Sequence, residues 1–335
     1  MKKLICFIGV FVVFVGLLCG CSVDKASLEQ EKGADNIRIV CTAFPEYDWV
    51  MNLLGDAKEH FDVTLLIQNN ADIHNYQPSA QDVITMKEAD LFLYIGGESD
   101  AWVQDLLVSD GTLSEHAISL LEMLGDQVLT QELIHEMLHE GSEHVHDHEH
   151  AHEHEDTLPD EHVWLSLENA KTICKYLSER LILLAPEHEK TISDNTVKYM
   201  EELRVLGEEY ASMIAESAGA PLIFGDRFPF GYLAWEYDLV CRAAYTGCNA
   251  EVEVGFDTII SLAEQVDILQ ASYVLVIDGS DRELAKTIIR TAKTENIEIL
   301  ELNSMQSVSL EDIQGGATYL GIMRENMAVL QKALG

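Results

Sequence analysis

The chain has 335 residues, with 21 Lys and Arg against 58 Asp and Glu and a formal net charge of −37. That balance argues against a nucleic-acid binder and against docking on anionic lipid through a basic patch, since both need an excess of cations. A hydrophobic content of 47% argues against an acidic disordered chain, and 13 His beside so many carboxylates direct attention to metal cations.

Length alone allows about two domains, each with its own core. The first 22 residues read MKKLICFIGVFVVFVGLLCGCS. Lys2 and Lys3 precede an apolar run from Leu4 to Leu18 that is of signal-peptide size and short for a membrane span. Leu18-Cys19-Gly20-Cys21 resembles a bacterial lipoprotein box, with Cys21 as the lipidated residue. Residues 1–20 are therefore expected to be an export signal and 21–36 a polar tether. The alternative is an uncleaved anchor, and both place the chain extracytoplasmically, held on the outer face of the cell membrane. Loss of Lys2 and Lys3 leaves 19 basic against 58 acidic residues, a net charge of −39. Outside the export segment stand Cys41, Cys174, Cys241 and Cys248, without CxxC zinc spacing. Cys174 is expected to be a buried thiol. Cys241 and Cys248 are close enough to bridge, and the sequence leaves that open.

Strands are predicted at 37–42 (IRIVCT), 61–67 (FDVTLLI) and 91–95 (LFLYI), with a helix over 79–89 that Ser79 caps. Residues 135–156 interrupt the pattern as a His-rich loop without core periodicity. Helices follow over 168–184 and from Pro186 to about Ser217. In the second, Val197, Met200, Leu203, Leu206, Tyr210 and Met213 form an apolar stripe. The alternation then restarts, with strands at 221–224, 273–277 and 297–302 and helices at 256–265, 280–295 and 322–334. The fold class is α/β: two similar lobes, each with a mainly parallel sheet flanked by helices, joined by one long rigid linker helix. The expected boundaries are 37–185 for the N-terminal lobe, 186–218 for the linker and 219–335 for the C-terminal lobe.

Metal chemistry is suggested at three places. His144, His146, His148, His150, His152 and His154 alternate with mostly acidic residues, a composition suited to capturing or buffering cations; the alternative is a solvated low-complexity linker. His74 lies between a strand and a helix, where α/β sheets bind ligands. His162 lies between the His-rich loop and another helix. Together His74 and His162 form half of a metal site.

Several phrases carry a family resemblance: TAFPEYDWV, HNYQPSAQD, EHVWLSLENAK, Phe230-Gly231-Tyr232 and GGATYLGIMRENMAVL. In order along nearly the whole chain, they resemble the zinc and manganese solute-binding lipoproteins of ATP-binding-cassette transporters, and the His-rich insertion resembles that of zinc members. The resemblance implies two lobes with metal in the cleft between them, and it carries His74 and His162 over as ligands. It departs in the second lobe. Arg227 stands where the family places a metal-binding His or Glu, and guanidinium cannot ligate. NSMQSVS occupies the region of the family's C-terminal acid, with Glu311 and Asp312 coming later. Asp226, beside the vacant position, and Glu46, at the end of the first strand, are the expected replacements, with Asp278 an outside candidate.

The expected function is capture of Zn2+, with Mn2+ as the alternative ion, and delivery to an ATP-binding-cassette permease by a monomeric, non-enzymatic lipoprotein. One alternative is a surface adhesin or metal buffer. Another is a zinc-dependent hydrolase.

Overall fold

The computed structural model describes residues 36–68, 72–109, 111–139, 158–245 and 254–335. The export signal, Cys21, the tether, His144 to His154 and Cys248 lie outside the described residues, and with Cys248 the Cys241–Cys248 pairing.

The first lobe begins with β1 (Ile37–Cys41), α1 (Phe44–Leu54), β2 (Phe61–Leu65), α2 (Ala80–Lys87), β3 (Leu91–Tyr94) and α3 (Ala101–Ser109). It continues through β4 (Ala117–Ser119), α4 (Leu120–Leu124), α5 (Gln131–His139) and α6 (Leu167–Leu184). After a 3-10 turn at Pro186–His188 comes α7 (Glu189–Glu216). The second lobe contains β5 (Leu222–Phe224), α8 (Gly231–Glu236), β6 (Cys241–Ala243), α9 (Phe256–Leu269) and β7 (Tyr273–Ile277). It closes with α10 (Glu283–Thr291), β8 (Glu298–Leu302), α11 (Leu310–Gln314) and α12 (Tyr319–Leu334).

Both sheets are parallel and share one topology. The order is β2-β1-β3-β4 in the first lobe and β6-β5-β7-β8 in the second. Each sheet reverses direction between its two central strands, so a crevice opens at their C-terminal ends. Strands β3, β5 and β7 are apolar on both faces because helices cover both. Ile39, Cys41, Leu91 and Leu93 point to one cluster, while Val40, Phe92 and Tyr94 point to another. In β7, Leu275 and Ile277 join the first cluster and Val274 and Val276 a third, under α9 and α10. The first cluster runs through both lobes without a break and takes in Leu203, Leu206 and Tyr210 of α7.

At 28 residues, α7 spans about 42 Å. Its buried residues are Ile192, Tyr199, Leu203, Leu206 and Tyr210. The stripe is thus rotated from the expected one: Tyr199 replaces Val197, which is 73% exposed. Two further corrections concern elements. The span 135–139, expected as loop, is the last part of α5, with Ile134 and Leu138 buried. The helix expected at 280–295 is confined to Glu283–Thr291. Cys174 is a buried free thiol, as expected.

Hydrogen bonds tie the lobes together near the crevice. Trp164 Nε1 donates to Ser304 O at 2.8 Å, and Tyr319 Oη donates to Trp164 O at 2.6 Å. Tyr232 Oη donates to Asp160 O at 2.9 Å and accepts from Leu129 N at 2.9 Å. These bonds stand the residues just before and after His162 directly against the second lobe.

Candidate metal centre

Two loops of the first lobe carry the same short pattern, Asp-x-His. In Asp72-Ile73-His74, the Asp72 Oδ1 accepts from His74 N at 3.0 Å and starts a single 3-10 turn, Ile73–Asn75. In Asp160-Glu161-His162, the Asp160 Oδ1 accepts from His162 N at 3.0 Å, and a 3-10 turn, Val163–Leu165, follows. The helices beyond are capped: Ser79 with Asp82 closes a capping box on α2, and Ser166 caps α6. Short rigid turns between a carboxylate and a capped helix therefore hold both His.

The two imidazoles meet. His74 Nε2 lies 3.4 Å from His162 Nε2, with ring centroids 5.4 Å apart and planes at 56°. A tetrahedral ion bound at about 2.0–2.1 Å by two nitrogens separates them by about 3.4 Å. The pair therefore has the spacing of two ligands on one ion. His162 is buried and edge-on to Trp164, while the side chain of His74 is 21% exposed.

The far nitrogens are held differently. His162 Nδ1 lies 3.1 Å from Asp160 Oδ1. His74 Nδ1 lies 2.5 Å from Ser99 Oγ, and Ser99 Oγ donates in turn to Glu161. Asp72 does not hold its neighbour's ring; its Oδ2 takes Arg227 Nη1 of the second lobe at 2.9 Å. Burial opposes the Asp72 charge, but the His74 N–H and Arg227 outweigh it and keep its pKa below the usual value.

The remaining expected ligands are placed elsewhere. The structure does not bring Glu46 to the pair. Its side chain folds back on the start of α1, where Oε2 accepts from Thr42 Oγ1 at 3.1 Å and Ala43 N at 3.0 Å. Burial pushes its pKa to about 8, the Asp100 charge adds to this, and the two hydrogen bonds offset part of it. A strand-end Glu in the sequence could not be told from a helix-capping Glu three residues into α1.

Asp226 lies after β5, with Oδ1 accepting from Arg227 N at 2.8 Å and Oδ2 buried without a hydrogen-bond partner. It lines a cleft of about 440 Å³ with Gly279, Ser280 and Asp281, all of the second lobe. Asp278 is committed to the loop after β8: Oδ1 takes Ser304 N and Oγ, and Oδ2 takes Ser307 Oγ. Asp312 caps α11 through Ser309. Among the described residues, no group of three or more His, Cys, Asp and Glu is placed to share one ion. The described residues thus bring together His74 and His162, with Arg227 where a second-lobe ligand was sought. The sequence reading missed Asp160, Glu161 and Ser99. The repeated Asp-x-His pattern was the signal for the first; nothing local marks Ser99, which is 62 residues from Glu161.

The family model for the zinc-uptake complex component A, periplasmic, matches residues 39–333. The zinc-binding lipoprotein AdcA of Streptococcus pneumoniae is 27% identical over 313 residues, covering 93% of this chain and 59% of that protein. This chain therefore spans under two thirds of that relative's length. The high-affinity zinc uptake system protein ZnuA of Bacillus subtilis is 27% identical over 332 residues, 97% of each chain. The Zn(II)-bound ZnuA-like domain of AdcA from Streptococcus pneumoniae superimposes with a TM-score of 0.66 at 25% identity, covering 89% of this chain and 99% of that one. The laminin-binding protein of Streptococcus agalactiae, described as having adhesin and metal-transporting activity, shares the fold with a TM-score of 0.70 at 21% identity, over 90% of this chain and all of that one. With two parallel-sheet lobes and a family model matched over residues 39–333, this chain belongs to the family of the zinc-uptake complex component A.

Proposed function

We propose that this chain is an extracytoplasmic, non-enzymatic solute-binding protein. It captures Zn2+ on His74 and His162 and delivers it to an ATP-binding-cassette permease. The observation that carries the reading is the pair of Nε2 atoms 3.4 Å apart. Imidazole nitrogens favour Zn2+ over Mn2+. Water fills the remaining positions unless a second-lobe carboxylate, of which Asp226 is the nearest in sequence to the family's ligand position, swings in on metal binding. Residues 37–185 and 219–335 serve as the lobes, 186–218 as the rod between them, residues 1–20 as the export signal, and Cys21 as the lipid anchor of a monomer.

A chelator-competition titration with Zn2+ tests this. His74→Ala and His162→Ala should each lower affinity by orders of magnitude. Affinity unchanged in either variant would remove the half-site as the binding centre.

A further inference from the structure

We propose that Glu161, acting through Ser99, is the positioning residue for His74: the serine hydroxyl relays the carboxylate to His74 Nδ1 and leaves Nε2 bare for metal. The inference rests on the proposed binding role of the pair.

The carboxylate of Glu161 grips Ser99 at two atoms. Oε1 accepts from Ser99 N at 2.8 Å, and Oε2 accepts from Ser99 Oγ. With its proton given to the carboxylate, the serine oxygen offers a lone pair to His74 Nδ1 at 2.5 Å. Nδ1 must then carry the ring proton, and the lone pair falls on Nε2. Glu161 Oε2 is also 3.7 Å from Nδ1, so its charge favours the N–H at that position.

The fold makes room for this contact. Gly97 has a φ of +82°, and a methyl group there would overlap the Glu161 carboxylate. Asp100 fixes the same loop by accepting from Ile95 N at 2.8 Å and Gly96 N at 3.0 Å. The Ser99 hydroxyl is thus held from both sides.

One tripeptide, Asp160-Glu161-His162, then orients both imidazoles. Asp160 fixes the ring beside it, and Glu161 reaches the ring of the other loop. The two Nε2 atoms are held 3.4 Å apart. Supports of this kind typically change metal affinity by about 10–100-fold.

The test has a metal-free arm and a metal arm. In 15N-His protein stripped with chelator and held at pH 8, long-range 15N–1H correlation spectra should show His74 protonated at Nδ1. Ser99→Ala should raise the Nε2-protonated fraction and weaken Zn2+ binding by about 10–100-fold. Glu161→Gln should act in the same direction, and Ser99→Thr, which keeps a hydroxyl, should restore both readouts. A wild-type His74 protonated at Nε2, or a Ser99→Ala protein with unchanged tautomer and affinity, would overturn the relay. Failure of the zinc reading itself appears separately, as His74→Ala and His162→Ala proteins that still bind Zn2+ normally while the metal-free tautomer result stands.

Discussion

The two Asp-x-His loops of the proposed metal half-site share a backbone pattern and differ in what their carboxylates hold. In the second loop, Asp160 is buried, holds both the backbone and the ring of His162, and touches nothing of the second lobe through its carboxylate oxygens in the bonds described above. In the first, Asp72 holds only the backbone of His74, and its other oxygen faces Arg227 across the cleft. Both loops meet the second lobe, the first through the Asp72–Arg227 ion pair and the second through the backbone oxygens of Asp160 and Trp164, which accept from Tyr232 and Tyr319. The difference teaches that one motif can commit its second carboxylate oxygen to its own histidine ring or to the facing lobe.

The largest expected effect breaks the rigid loop. Asp160→Asn keeps the volume but removes the charge that holds the Nδ1 proton on His162. Zn2+ affinity should fall by about 10–100-fold in competition titration. A fall of less than twofold would mean that burial against Trp164 alone orients the ring.

The second effect probes the buried carboxyls of the first lobe. Burial pushes three carboxyls upward: Glu46 from 4.5 to about 8, Asp100 from 3.8 to about 7 and Asp48 from 3.8 to about 6. Between each pair of values the folded chain holds more protons than the unfolded one, so stability falls as pH rises through that window. Metal-free protein should therefore lose stability from pH 4 to pH 8, by on the order of 1 kcal/mol per pH unit for each carboxyl in its window. Glu46→Gln, which keeps an acceptor for Thr42 and Ala43, should flatten the upper part of the slope. Urea unfolding at a series of pH values checks this, and a stability that rises across the interval would refute the assignment.

A smaller effect sharpens the contrast by freeing Asp72. The Arg227 and Asp72 side chains are each only 22% exposed, so losing their ion pair in Arg227→Ala should cost on the order of 1–3 kcal/mol of stability, between an exposed and a buried pair. The unpaired carboxylate then stands two residues from His74, and the variant should bind Zn2+ somewhat more tightly. Weaker binding would show that the cross-lobe pair, and not charge, dominates at this loop.

Much of the fold was legible because strands such as LFLY and YVLVI are short apolar runs bounded by turn residues, and capped helices announce themselves through Ser79 and Ser166. The two His were legible because both precede capped helices in loops. Glu46 misled because sequence shows a carboxylate at a strand end and not which way it turns; its nearest free donors were its own helix's first N–H groups. The relay was hidden because Ser99 and Glu161 meet only in the folded lobe. The end of α5 was hidden by composition, since His135 and His139 read with the His-rich run although Ile134 and Leu138 keep helical spacing on its buried face.

The smallest expected effect separates the half-site from the His-rich segment. Its flanks are joined independently of it: Gln131 N donates to Leu158 O at 2.9 Å, Asp160 N donates to Leu129 O at 2.8 Å, and Thr130 bridges Pro159. The backbone that positions Asp160, Glu161 and His162 is therefore fixed before and after the insertion. α5 leads about 13 Å away from that bridge, so the excised stretch needs a short flexible linker to return. Replacing residues 140–156 by about six Gly and Ser should then change cleft affinity by no more than about twofold, as for sites without shared partners. The number of Zn2+ ions bound weakly should drop instead. Both are read from one titration, and loss of the tight site alone would move the binding centre from the His pair to the segment.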